Sequence, residues 1–159
     1  MTDFDPRLTR RSVVVAGAVT LLQAETVFAA EEQVITVHLD PNCGCCSGWV
    51  QHLRQAGFRI NVLETRDLVA VKRKLGVPDD LAACHTAEVS GYVVEGHVPA
   101  AALKRFLAEK PQAIGLAVPG MPIGSPGMEG GKPEPYEVVL FGPAGRRSYM
   151  RFVGEHAVG

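Results

Sequence analysis

The chain has 159 residues, 16 lysines and arginines against 17 aspartates and glutamates, and a net charge of −1. This length fits one domain rather than two, because domains run to roughly 100–200 residues. The near-zero charge, without a block of basic residues, argues against a nucleic-acid partner or an anionic-membrane surface.

Residues 1–30 have the pattern of an export signal. Arg10-Arg11 precede an apolar run from Val13 to Leu22, and small residues end the segment at Ala29-Ala30. A transmembrane helix needs about 20 apolar residues, so we expect no stable membrane insertion after signal removal. The adjacent arginines are typical of a twin-arginine signal, and a Sec signal with two arginines is the alternative. We therefore predict a cleaved signal over residues 1–30 and one domain over residues 31–159.

Strand and helix patterns alternate along the next part of the chain. β-branched and alternating apolar residues predict three strands, over residues 33–39, 58–63 and 88–95. Apolar residues at helical spacing predict three helices, over residues 49–56, 68–75 and 99–107. Asp67 and Gly76 are typical residues for the start and end of the second of these helices.

Residues 111–135 differ in composition, since 12 of the 25 are glycine or proline, and this predicts a long loop without a regular element. Such loops in compact domains usually carry function. Two runs at 137–141 and 147–152 then predict a C-terminal β-hairpin. The whole order predicts an α/β fold, a mixed sheet with flanking helices, and it resembles a thioredoxin-like sheet.

Four cysteines carry the main chemical signal. Cys43, Cys45 and Cys46 follow the first strand, and Cys84 with His85 comes just before the third. Cys43 and Cys46 have the C-x-x-C spacing of a redox dithiol, but a plain oxidoreductase would risk mispairing with Cys45. Thiolates that converge on a helix start suit a soft metal, Cu(I) first and Zn(II) next. A parallel crossover would return Cys84 and His85 to the same edge of the sheet.

Other residues and other interpretations accompany the cysteines. Met121 and Met128 lie in the Gly/Pro-rich loop, and thioether sulfur is a further soft ligand for Cu(I). We interpret His97 as a residue at the start of a helix rather than as a ligand. Three alternatives for the cysteines stay open: two disulfides, a structural zinc site, and a thiol–disulfide oxidoreductase.

Several motifs follow one another along the chain: D-P-N-C-G-C-C-S-G-W at 40–49, A-C-H-T-A at 83–87, G-Y-V-V-E-G-H-V-P-A at 91–100, G-L-A-V-P-G-M-P-I-G-S-P-G-M-E at 115–129 and Y-E-V-V-L-F at 136–141. Together they resemble the CopG-type periplasmic copper-resistance proteins. The resemblance implies a thioredoxin-like, periplasmic domain that binds copper and works with copper export systems, some members holding more than one ion. By position, it implies the ligands Cys43, Cys45, Cys46 and Cys84, followed by His85, Met121 and Met128.

We therefore predict an exported, periplasmic copper-binding protein for copper resistance or homeostasis. It would hold Cu(I) in the cysteine cluster for sequestration, or for handover to a copper exporter or copper oxidase of the cell envelope. Thiol oxidation coupled to copper reduction is an extension of this function. The alternative is a periplasmic thiol–disulfide oxidoreductase that uses Cys43 and Cys46.

Overall fold

The structure, a computed structural model, describes residues 33–158, so the predicted export signal over residues 1–30 lies outside the described residues. Three α-helices are described: α1 (Gly44–Gln55), α2 (Leu68–Leu75) and α3 (Ala100–Glu109). The strands are β1 (Val34–Leu39), β2 (Arg59–Glu64), β3 (His85–Val89), β4 (Tyr92–Glu95), β5 (Gly115–Ala117), β6 (Pro135–Gly142), β7 (Gly145–Val153) and β8 (His156–Ala157).

These strands form one mixed sheet in the order β2-β1-β3-β4-β5-β6-β7-β8. β1 and β2 are parallel and joined by α1, whereas β3 runs antiparallel to β1 and pairs with β4 in a hairpin. β5 returns parallel to β4 after α3, and β6 and β7 form the predicted C-terminal hairpin. The predicted α/β class is confirmed, and nothing in this strand order conflicts with a thioredoxin-like arrangement.

The helix α2 shows how local sequence sets an element's limits. The Asp67 carboxylate accepts a hydrogen bond from the backbone N–H of Ala70, which satisfies one of the unpaired donors at the helix start. Gly76 ends the helix in the left-handed conformation, with φ of 74°, which glycine adopts at no steric cost. Both boundaries fall where the sequence predicts them.

Two predictions about the central strands are wrong. The run at 88–95, predicted as one strand, is split by a tight turn at Ser90-Gly91, where both residues have positive φ. The turn makes β3 and β4 an antiparallel hairpin. β3 itself runs antiparallel to β1, whereas the sequence predicts a parallel crossover. The Gly/Pro-rich stretch also contains a regular element, because Gly115–Ala117 pair with both β4 and β6.

The core joins the central strands to α1 and α3. Trp49 and Leu53 from α1 and Phe106 from α3 are fully buried in one apolar cluster with Ile35 and Val94 from the sheet. The Trp49 indole N–H donates to the Val98 carbonyl, so its polar atom is satisfied inside the core. Among residues 33–158, no helix combines the length and apolar character needed to cross a membrane.

Candidate metal centre

The start of α1 places three of the cysteines. After β1 a turn is closed by a hydrogen bond from the Cys43 N–H to the Asp40 carbonyl, 2.9 Å, and α1 begins one residue later. Cys45 and Cys46 therefore lie in the first helical turn, where the unpaired backbone N–H groups favour thiolates. This is the junction of first strand and first helix at which the sequence predicts the cluster.

The sulfur atoms of all four cysteines lie within 4.8 Å of one another. Cys43 and Cys46 form a disulfide, while Cys45 and Cys84 carry free thiols. The Cys45 Sγ lies 3.5 Å from the Cys43 Sγ and 3.9 Å from the Cys84 Sγ, so it stands between the disulfide and Cys84. Four soft ligand atoms at such separations fit a thiophilic ion or a thiolate-bridged group of ions.

Cys84 and His85 reach the cluster, as the sequence predicts, but by a different path. β3 begins at His85 and runs antiparallel to β1, with His85 paired to Leu39, the last residue of β1. The start of β3 thus meets the end of β1, where the cysteine turn begins. An antiparallel strand, rather than the parallel crossover expected from the sequence, thus brings Cys84 and His85 to the other cysteines.

His97 is the site residue that sequence analysis misses. Its Nε2 lies 3.0 Å from the Cys84 Sγ, and the ring is fully buried. The ligand atoms of Cys84, His85 and His97 lie within 4.8 Å of one another, forming a second group that shares Cys84 with the first. The β3–β4 hairpin causes this proximity, because the start of β3 and the end of β4 lie at one edge of the sheet. In the sequence, the Ser90-Gly91 pair is the signal that indicates this hairpin.

His85 has an unusual environment for a buried imidazole. Its ring packs against Trp49, with ring centroids 4.3 Å apart, and its Nδ1 lies 3.3 Å from the Cys84 Sγ. Its Nε2 is buried and has no hydrogen-bond partner among the described residues. The Nδ1 is thus the nitrogen that His85 presents to Cys84, while the Nε2 is a buried polar atom without a partner in residues 33–158. Through its Nδ1, His85 fits the ligand set.

Burial controls the protonation of these groups. Burial, reinforced by the neighbouring Cys45, raises the pKa of the Cys84 thiol to about 12. Burial lowers the pKa of His85 well below its usual value, and the charges of His97 and Lys72 act in the same direction. Burial also lowers the pKa of His97. The metal-free site therefore holds neutral imidazoles and a protonated Cys84, so metal binding at this sulfur must release a proton.

A buried polar network holds the segment that carries Cys84 and His85. The Glu95 carboxylate, fully buried, accepts hydrogen bonds from the Ala83 backbone N–H at 2.6 Å and the Thr86 hydroxyl at 2.7 Å. Lys72 of α2 donates to both Glu95 and Thr86. Since residues 83 and 86 flank the two ligands, one carboxylate clamps both ends of the ligand-bearing segment.

The two methionines lie in the Gly/Pro-rich loop. The Met121 side chain is 51% exposed, whereas Met128 is partly buried. One residue before Met128, the Gly127 backbone packs against the first turns of α1 beside Cys45. The loop thus reaches the cysteine cluster, and ligation by either thioether stays a prediction.

A centre lined by sulfur and imidazole atoms on an α/β sheet is typical of proteins that bind thiophilic metal ions. Comparisons with known proteins indicate the family. Two solved structures of a copper resistance protein CopG, forms 2 and 1, are 44% and 45% identical to this chain, with TM-scores of 0.72 and 0.71. The matches cover 77% and 76% of this chain and 99% and 98% of theirs. The chain belongs to the CopG-type copper-resistance family, as its motifs predict.

Two further comparisons, with family models and with curated proteins, give no additional functional assignment. Residues 81–128 match the family DUF411, described as a protein of unknown function. That segment contains Cys84, His85, His97 and both loop methionines, but it does not include the cysteines of α1. The comparison with curated proteins gave no match. Membership in a copper-resistance family, together with the cysteine cluster, makes this a copper-related protein.

Proposed function

We propose that this protein binds Cu(I) in the cysteine cluster and holds it for sequestration or handover in the periplasm. The observation that carries the proposal is the convergence of four sulfur atoms in one group, which shares Cys84 with a second group that contains two buried imidazoles. Thiolates select Cu(I) over harder ions, and bridging thiolates let four sulfurs serve more than one ion. The copper-resistance structures at 44–45% identity support copper as the metal.

The ligand set would change with the redox state of Cys43 and Cys46. As a disulfide these two sulfurs are weak ligands, and only Cys45 and Cys84 offer thiols. Reduction would provide four thiolates, with His85 and His97 beside Cys84 and the loop methionines as further soft donors. We propose the reduced protein as the form that takes up Cu(I).

We also propose where the protein works and with what. The export signal predicted over residues 1–30 supports a periplasmic location, and handover of Cu(I), unlike sequestration, requires a recipient. A copper exporter or a copper oxidase of the cell envelope would be that recipient. The half-exposed Met121 is a candidate first contact for transfer, because a thioether binds Cu(I) and releases it more readily than a thiolate does.

One observation favours a redox activity as second candidate, namely the Cys43–Cys46 disulfide itself. Their reduced thiols could give up two electrons and two protons, converting two Cu(II) ions to two Cu(I) ions as the disulfide forms. Each turnover would then need an external dithiol as reductant. Against a general thiol–disulfide oxidoreductase stands the third thiol, Cys45, only 3.5 Å from Cys43.

The test is an anaerobic titration of the reduced protein with Cu(I) against a chromophoric Cu(I) chelator, with copper and free thiols counted. We expect more than one tightly held copper per chain and protection of all four thiols. The chain's one tryptophan, Trp49, packs on His85, so its emission should change over the same titration range. A protein that retains no copper yet cycles the Cys43–Cys46 disulfide would instead be an oxidoreductase.

A further inference from the structure

The Gly/Pro-rich loop touches α1 through a contact that only glycine permits. A Cβ atom on Gly48 would lie 2.8 Å from the Gly127 Cα. A Cβ atom on Gly127 would lie 2.5 Å from the backbone carbonyl oxygen of Cys45 and 2.6 Å from the backbone nitrogen of Trp49. Gly127 also has φ of 89°, which disfavours any side chain there. The two backbones therefore pack directly against each other, one helical turn from the cysteines.

The loop segment around Gly127 is held together by its own hydrogen bonds. The Ser125 N–H donates to the Pro122 carbonyl at 3.0 Å, and the Met128 N–H donates to the Ser125 carbonyl at 2.8 Å. The Gly124 N–H donates to the Met128 carbonyl at 2.9 Å. Residues 122–128 thus form one unit, and the Gly48–Gly127 contact sets how close that unit lies to α1.

The Pro126 carbonyl of this unit accepts a hydrogen bond from the His97 Nδ1 at 2.7 Å. A carbonyl oxygen can only accept, so Nδ1 must carry the ring proton. A neutral imidazole has one such proton, and its Nε2 is then a lone-pair donor. That Nε2 faces the Cys84 Sγ at 3.0 Å, which is the orientation that a metal ligand needs.

We propose that the contact between Gly48 and Gly127 is a positioning device for His97. It holds the Pro126 carbonyl where it accepts only the Nδ1–H tautomer, and so presents the Nε2 lone pair beside Cys84. Carbonyl groups that fix a histidine tautomer in this way typically matter 10–100-fold for metal affinity. The inference deepens the proposed function, because it assumes that the Nε2 of His97 binds copper.

The test compares two substitutions on the same helix. Gly48→Ala places a methyl group against Gly127, whereas Gly44→Ala is a matched control, since a Cβ there has nothing within 4 Å. Histidine tautomers are read from long-range ¹H–¹⁵N spectra of the reduced, metal-free full chain. We expect His97 to be in the Nδ1–H form in the parent and in Gly44→Ala, and a mixture of both tautomers in Gly48→Ala. Cu(I) affinity should fall about tenfold in Gly48→Ala only.

Several outcomes would overturn the inference. They include an Nε2–H form of His97 in the parent protein, or an unchanged tautomer in Gly48→Ala. A merely structural role for the glycines would lower the melting temperature without moving the tautomer. If Gly48→Ala does not fold, the parent spectrum still tests the inference, because an Nε2–H form of His97 there would overturn it. The spectra involve no metal, so an absence of copper binding would reject the proposed function and leave the tautomer result standing.

Discussion

Among single residues, Cys45 is the one whose role distinguishes a metal cluster from a two-cysteine redox site. Its Sγ lies 3.5 Å from that of Cys43 and 3.9 Å from that of Cys84, so it connects the two halves of the cluster. A disulfide between Cys43 and Cys46 does not involve it. Its thiol therefore has no part in a two-cysteine redox reaction, but it would have a central part in the bridged copper site that we propose.

We expect Cys45→Ser to lower the amount of Cu(I) bound per chain while leaving formation of the Cys43–Cys46 disulfide intact. The hydroxyl that replaces the thiol is a hard donor, which Cu(I) disfavours. Copper per chain after desalting and thiol counts before and after oxidation measure the two effects. Ser47→Ala, at an exposed position of the same helical turn, is the control. Undiminished copper in Cys45→Ser would contradict a cluster that uses all four sulfurs.

Residue-level prediction from sequence works where the signal is local. Cys43, Cys45 and Cys46 are neighbours in the chain, so their convergence at a helix start needs only the strand–helix junction to be recognised. His97 is 13 residues from Cys84, and its approach depends on the register of β3 with β4, in which Thr86 pairs with Glu95. A register cannot be derived while the two strands are taken for one, and so the second imidazole is missed.

Among the secondary-structure elements, α2 is held to the sheet by a polar contact. None of its residues is fully buried, yet its Lys72 reaches Glu95 of β4 and Thr86 of β3. The Lys72 side chain is 13% exposed and that of Glu95 is fully buried. Removing one partner of such a pair leaves an uncompensated charge in the interior, which costs more than losing both.

We expect Glu95→Gln to destabilise the metal-free protein by about 3 kcal/mol, because the largely buried Lys72 ammonium then has no carboxylate to pair with. The double variant Lys72→Met with Glu95→Gln should lose less, since no charge is left unpaired and the amide still accepts from Ala83. Urea denaturation measures both. Glu137→Gln breaks the exposed ion pair with Arg151 and should change stability little. Equal losses in the single and double variants would argue against the buried charge as the cause.

The elements themselves are predictable to different degrees. The helix α2 has a carboxylate cap and a terminal glycine within its own sequence, so both of its ends are predicted. The strand β5 has no such signal: Gly115 is there because β4 lies so close that a Cβ would be 1.8 Å from the Val93 carbonyl oxygen. A glycine that allows close strand packing looks, in sequence alone, like a glycine that breaks a strand.

At the scale of the whole molecule, the fold brings four separate stretches of chain to one edge of the sheet. The β1–α1 junction supplies three cysteines, the start of β3 supplies Cys84 and His85, the end of β4 supplies His97, and the Gly/Pro-rich loop packs on α1. The candidate ligand atoms are thereby brought together without a metal ion, although Cys43 and Cys46 are joined in a disulfide. The Cys84 sulfur, however, holds a proton that a metal ion would have to displace.

Copper affinity should therefore fall as the pH falls. Burial raises the pKa of Cys84 to about 12, so this thiol is protonated throughout the physiological range and loses one proton when it binds metal. Each thiol that ionises on binding makes the affinity about tenfold weaker per unit decrease in pH. For Cys84 alone we expect a loss of about 100-fold between pH 7 and pH 5. Competition against a Cu(I) chelator, corrected for the chelator's own protonation, measures it.

The slope of the logarithm of affinity against pH counts the protons released, and so it identifies the ligands that release them. Cys84→Ser should reduce this slope by about one, because one ionising thiol has been removed. Ser47→Ala should leave it unchanged, since Ser47 is exposed and has no thiol. An affinity that does not change between pH 7 and pH 5 would exclude ligation by any thiol that is protonated in this range, Cys84 included. An unchanged slope in Cys84→Ser would exclude Cys84 alone and leave the α1 cysteines as the site.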